Sequence, residues 1–265
     1  MKKIFYIIIL CTIAIATGCT QEMDMPSGSA EQVMLTLTTD VQYANEAQPM
    51  DNKTNSSSQT RATTIARYIM EVYTDEACTV PANVFGATNR KEQASAEFML
   101  TLHKDQTYHC LLWADMGDGA YNANALQTVI LADGKQPTEA YCAKAVLSAQ
   151  PAQAITLKHA VALITLKDKN GVEAGKILNL KYSQYTQFNV ADNTVSVPKD
   201  VDSNITTTQT AANEVIATFY MLAPQVKTTF EFTFNYNNEG AKTLDILPLQ
   251  KNYNTDVVGA YAKVP

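Results

Sequence analysis

Basic clusters, histidines and long apolar runs are scarce in this sequence, and each shortage removes a class of function. Only 20 of the 265 residues are lysine or arginine against 26 acidic ones, a formal charge of −6, and the basic side chains gather nowhere. A surface that neutralises nucleic-acid phosphates needs such a gathering, so nucleic acid is excluded as a partner. There are three histidines, His103, His109 and His159; no His-Glu-x-x-His occurs, and no further ligand recurs at useful spacing, so no metal site is expected. Among the ten glycines none builds a phosphate loop after a strand, and no serine sits in a nucleophile elbow. These absences point away from an enzyme and from any cofactor. Five cysteines are present. Cys78, Cys110 and Cys142 match no zinc spacing, and three thiols cannot all pair with one another; they form either one disulfide and a spare thiol or three buried thiols. After residue 16 no stretch approaches the roughly 18 continuous apolar residues of a membrane-spanning helix.

The one uninterrupted apolar run covers residues 4–16, behind Lys2 and Lys3 and ahead of Ala16-Thr17-Gly18-Cys19. Two lysines, a short apolar core and small residues are the parts of a secretory signal, too short to stay in a bilayer as a span. The cysteine directly after Thr17-Gly18 resembles a bacterial lipobox, in which the sulfur takes a diacylglycerol before cleavage on its amino side. The expectation is therefore a signal peptide over residues 1–18 and a lipid on Cys19, with membrane attachment through that lipid alone. Acidic residues close behind, Glu22 and Asp24, resemble an export signal toward the outer membrane and the cell surface. Residues 19–30 are polar and form a tether.

Beyond the tether the chain takes on the period of strands. Val33, Leu35, Leu37 and Val41 alternate with polar neighbours and mark a first strand with one apolar face. Residues 44–63 hold Pro49, Asn52, Lys53, Asn55, three serines and Arg61 around a single large apolar side chain, Met50; they form an exposed flexible loop. About twelve short strands are expected in all, residues 155–167 as one of them, with residues 138–147 suited to one short helix. Phe230, Phe232, Phe234 and Tyr236 give the cleanest alternation. The mature length allows two cores of about 100–130 residues each, so the sequence predicts an all-β chain of two tandem β-sandwiches, residues 31–150 and 151–265, with a joint at residues 148–153. Asp115, Asp118, Asn122 and Asn124 crowd one loop, but their register is that of a turn rather than a calcium loop. Trp113 reads as a core aromatic, and His159 as a core or rim histidine in step with Leu157 and Val161.

Several stretches together resemble the fimbrillins, lipoprotein precursors of donor-strand-assembled (type V) pili, and their uncharacterised-domain relatives. They are Arg67-Tyr68-Ile69-Met70-Glu71-Val72-Tyr73, the strand from Tyr108 to Asp115 ending Leu112-Trp113-Ala114-Asp115, Leu157-Lys158-His159-Ala160-Val161-Ala162, and residues 248–259 from Pro248-Leu249-Gln250 to Val258-Gly259. The resemblance implies transthyretin-like sandwiches, export as a lipidated precursor, and cutting by an arginine-specific protease in the loop after the first strand, where Arg61 is the matching position. It also implies that Val33, Leu35, Leu37 and Val41 belong to the strand that leaves, and that a neighbouring subunit's strand fills the vacated groove. The expected role is a structural or adhesive pilus component, as shaft, tip or anchor, or a related non-polymerising surface protein. The alternative is a glycan-binding surface lipoprotein on the same sandwiches, with exposed aromatics stacked on sugars.

Overall fold

A computed structural model of the protein describes residues 29–46 and 64–260. Residues 1–28, with the expected signal peptide, Cys19 and most of the expected tether, residues 47–63 with Lys53 and Arg61, and the last five residues lie outside them. The described residues contain strands and no helix. In chain order the strands are β1 (Ala30–Thr39), β2 (Ala44–Glu46), β3 (Arg67–Tyr73), β4 (Arg90–Gln93), β5 (Glu97–His103), β6 (Tyr108–Asp115), β7 (Tyr121–Asn122), β8 (Val129–Leu131) and β9 (Ala140–Leu147). They continue with β10 (Ala152–His159), β11 (Val161–Asp168), β12 (Ile177–Asn189), β13 (Thr194–Thr206), β14 (Val215–Leu222), β15 (Thr228–Tyr236), β16 (Ala241–Leu249) and β17 (Tyr253–Gly259).

Two kinds of strand sort the architecture. In β1, β5 and β15 every second side chain is buried, the mark of a strand that covers one core. β6 and β11 are buried almost throughout, because each divides apolar material on both sides. One sheet runs β4-β3-β6-β9-β10-β1-β5 and the other β16-β15-β12-β14-β11-β17-β2. The first folds back on itself: β10 pairs with β9 only through Lys158↔Cys142 and His159↔Tyr141 and lies parallel to β1 over the rest of its length. Inside that fold Val33, Leu35, Phe98, Leu100, Met70 and Leu112 pack together. The other face of β3, β6 and β9 sets Ile69, Leu111, Trp113 and Cys142 against Phe188 and Leu222 of the second sheet. A third core, with Ile164, Leu180, Phe232 and Phe234, belongs to the second sheet itself. The all-β sandwich expected from the sequence is what forms.

Several local expectations change. Residues 138–147 are not helical but supply β9, since pairing with β6 from Tyr108↔Leu147 to Asp115↔Ala140 outweighs the helix preference of its alanines. Residues 155–167 are two strands rather than one, divided at Ala160, so β10 stays in the first sheet and β11 begins the second. Residues 177–189 form one continuous β12, and β13 is not legible in the sequence because almost none of it is buried. Backbone pairing with β12 from Ile177↔Thr206 to Asn189↔Thr194 holds it in place. The expected loop 44–63 also begins with a strand, as residues 44–46 are β2.

Candidate functional site

The first strand is a through-strand. β5 runs antiparallel along one edge, with Val33↔Leu100 and Leu35↔Phe98, and β10 runs parallel along the other, with Leu35↔Gln153 and Leu37↔Ile155. Further backbone bonds extend both ladders, Met34 N–H to the Pro151 carbonyl at 3.0 Å and Leu37 N–H to the Ala96 carbonyl at 2.9 Å. Because side chains alternate across a strand, Val33, Leu35 and Leu37 all enter the core while Met34 stays outside. Of the four residues expected on the leaving strand, the structure places these three together. Val41 lies beyond the strand's end at Thr39, half-buried against the same core.

Past Thr39 the segment crosses to the second sheet. Asp40 N–H donates to the Leu157 carbonyl at 2.8 Å, Ala44 N–H donates to the Asn252 carbonyl at 2.9 Å, and β2 then pairs parallel with β17 at Tyr253↔Ala44. Between these ties Tyr43 is buried, its ring stacked on His159 with centroids 3.8 Å apart and planes at 24°. The Tyr141 ring also packs on the imidazole, with centroids 4.4 Å apart and planes at 33°. In the ring plane Nδ1 lies 3.0 Å from Asn252 Oδ1 and Nε2 lies 3.1 Å from Glu139 Oε1. Glu139 Oε1 also accepts the Tyr141 hydroxyl at 2.7 Å. Burial is the first cause that raises the Tyr43 phenol well above its ordinary value, followed by its neighbours Tyr220 and Glu139. His159 is thus a satisfied core histidine at the seam of the two sheets. Sequence reading passed over Tyr43 and Glu139; an aromatic just ahead of a polar stretch was the available sign of the first, and Glu139 carried none.

The other polar groups singled out in the sequence are engaged in structure. Asp115 is buried and accepts Arg67 Nε at 2.9 Å and the Trp113 indole N–H at 2.7 Å. Asp118 and Asn122 cap their own turns, accepting Ala120 N–H at 2.9 Å and Asn124 N–H at 3.2 Å. Among the described residues no three His, Cys, Asp or Glu side chains converge as metal ligands. Cys78, Cys110 and Cys142 are three buried free thiols. A groove of about 610 Å³ beside β12, β13 and β15 is lined by Lys181, Gln184, Asp200 and Glu231 among others.

A family model described as a family of unknown function, DUF6562, matches residues 27–261. The chain belongs to this family. No curated protein matches it. Among solved structures, the DUF6562 chain is similar to a candidate adhesin from Bacteroides ovatus, with a TM-score of 0.51 at 9% identity over 84% of this chain and 79% of that one. It is also similar to a protein from Bacteroides thetaiotaomicron described as a candidate polysaccharide-binding protein (TM-score 0.49, 8% identity, 82% and 80% of the two chains). A third is a candidate cell adhesion protein from Bacteroides ovatus (TM-score 0.46, 14% identity, 87% and 92%). At such identities the shared property is the fold, carried by the first of the three.

Proposed function

We propose that this DUF6562 chain is a non-enzymatic cell-surface protein of fimbrillin type, lipid-anchored at Cys19 in the outer membrane, that serves a structural or adhesive role through exchange of its first strand. The observation that carries the reading is the position of β1 between β10 and β5, which among the described residues have no other partner on those edges along its length. Removing β1 uncovers both backbone ladders and the core side of Val33, Leu35 and Leu37. Each fully buried aliphatic of this size contributes about 1.5–3 kcal/mol, so an empty slot is strongly unfavourable and is relieved by a strand from another subunit. Residues 47–63, with Arg61, connect the exchanging segment to the rest of the chain. The adhesin description of the Bacteroides ovatus relative supports a surface adhesive role.

The glycan-binding alternative needs exposed rings. Every described tryptophan, tyrosine and phenylalanine is buried or half-buried, and Trp113 packs between Tyr121 and Phe188 at 5.3 and 6.0 Å. Mass spectrometry of the amino terminus of protein taken from cells tests the proposal. A diacylglycerol on Cys19 in the precursor and a new terminus at Ala62 in the surface form are expected, whereas an unlipidated terminus with residues 29–61 permanently attached contradicts it.

A further inference from the structure

The segment that carries β1 fills two recesses, and the second is shaped for a ring. Its floor is the His159 imidazole, which Asn252, Glu139 and the Tyr141 ring hold in one orientation. Its occupant is Tyr43, six positions after Leu37. The Tyr43 ring stacks on the imidazole at 3.8 Å, while its hydroxyl finds no hydrogen-bond partner among the described residues, so the aromatic face is what the recess grips. Backbone bonds at Asp40 and Ala44 fix the path on either side of the ring, which sets the spacing between the aliphatic face of β1 and the aromatic. Beyond the ring, the parallel pairing of β2 with β17 carries the segment onto the second sheet.

We propose that the strand filling this slot is selected by an aromatic side chain placed at a fixed distance beyond its aliphatic face. The partner is a protein subunit with an extended segment of pattern aliphatic-x-aliphatic-x-aliphatic, then five residues, then tyrosine or phenylalanine. The inference rests on the strand-exchange reading and adds the specificity determinant: Tyr43 and the His159 recess choose among strands that all satisfy the β1 groove. Alternation alone cannot make that choice, since many strands alternate, whereas a ring at this spacing is a demanding condition.

The test uses the full chain, cut within residues 47–63 at Lys53 or Arg61 and opened in mild denaturant so that its own first segment exchanges with labelled peptides of residues 29–46. The wild-type and Tyr43→Phe peptides are expected to be retained alike. A Tyr43→Ala peptide is expected to bind on the order of 100-fold more weakly, as befits loss of a buried ring, and a Leu35→Asp peptide is expected to be lost. Equal retention of the wild-type and Tyr43→Ala peptides, with Leu35→Asp lost, overturns the aromatic selection and leaves strand exchange standing. Failure to capture the wild-type peptide, or equal capture of Leu35→Asp, overturns both.

Discussion

Leu35 and Phe98 face each other across the antiparallel ladder of β1 and β5, both fully buried in the core that closes the first sheet on itself. The pair joins the segment proposed to leave to one wall of the slot it leaves behind. Leu35→Ala is expected to destabilise the chain by about 2–5 kcal/mol through lost burial and a cavity, read as a lower urea midpoint. Met34→Ala, one residue away with its side chain outside the core, is expected to change stability by less than about 0.5 kcal/mol. Equal effects of the two substitutions would mean that the strand's alternation does not hold it in place.

The Arg67–Asp115 pair makes a different prediction. Asp115 is buried and serves the Arg67 guanidinium, the Trp113 indole and the Gly117 N–H at once, the last at 2.8 Å. Asp115→Ala takes the buried carboxylate from the indole and from the arginine, which keeps only the Tyr121 carbonyl at 2.9 Å and Glu92 at 3.7 Å, and a loss of about 3–5 kcal/mol is expected, measured by chemical denaturation. Trp113 fluorescence should shift in the same variant, because the indole N–H loses its carboxylate acceptor.

Protease access depends on the same ion pairs. Arg67 is tied to Asp115, and Arg90 Nη1 lies 2.6 Å from Glu71 Oε1, whereas Lys53 and Arg61 stand in a polar sequence. Limited trypsin digestion is expected to cut first after Lys53 or Arg61. First cuts after Arg67 or Arg90, read by mass spectrometry, would contradict the pairing.

The buried thiols set the alkaline limit. Burial pushes Cys110 up to about 12 from an ordinary value near 9, with a backbone contact at Ala145 opposing it, and burial likewise raises Tyr182 to about 12. Both groups are held neutral in the fold. A group whose value is raised by folding contributes stability that is complete below its unfolded value and is lost as pH rises toward the folded one. The urea midpoint is therefore expected to hold from pH 7 to about 9 and to fall steadily between about 9 and 12. At pH 8 iodoacetamide should leave Cys78, Cys110 and Cys142 unmodified in the folded chain and modify all three in denaturant.

Much of the fold was readable in the sequence where a strand has one wet face. Val33, Leu35 and Leu37, like Phe230, Phe232 and Phe234, announce themselves because solvent occupies every second position. β13 was not readable for the opposite reason: nearly all its side chains meet water, and its long backbone pairing with β12 keeps it extended. The break at Ala160 escaped notice because the apolar side chains of β10 and β11 continue across it, although the two strands belong to different sheets. β9 was hidden by alanines that suit a helix equally well until β6 pairs with them. The Tyr43 recess was least readable of all, since His159, Glu139 and Asn252 come from three separate parts of the chain and meet only when the first sheet joins the second.

Strand exchange is tested most directly by the state of the chain after its first segment is removed. Protein cut within residues 47–63 and freed of residues 29–46 under mild denaturant should, on return to buffer, either associate into larger species or take up an added peptide of residues 29–46 and regain its original urea midpoint, as followed by light scattering and denaturation. A cut chain that stays monomeric, ignores the peptide and keeps the stability of the intact protein would show that the first strand is neither held by its groove nor exchangeable, and would contradict the account.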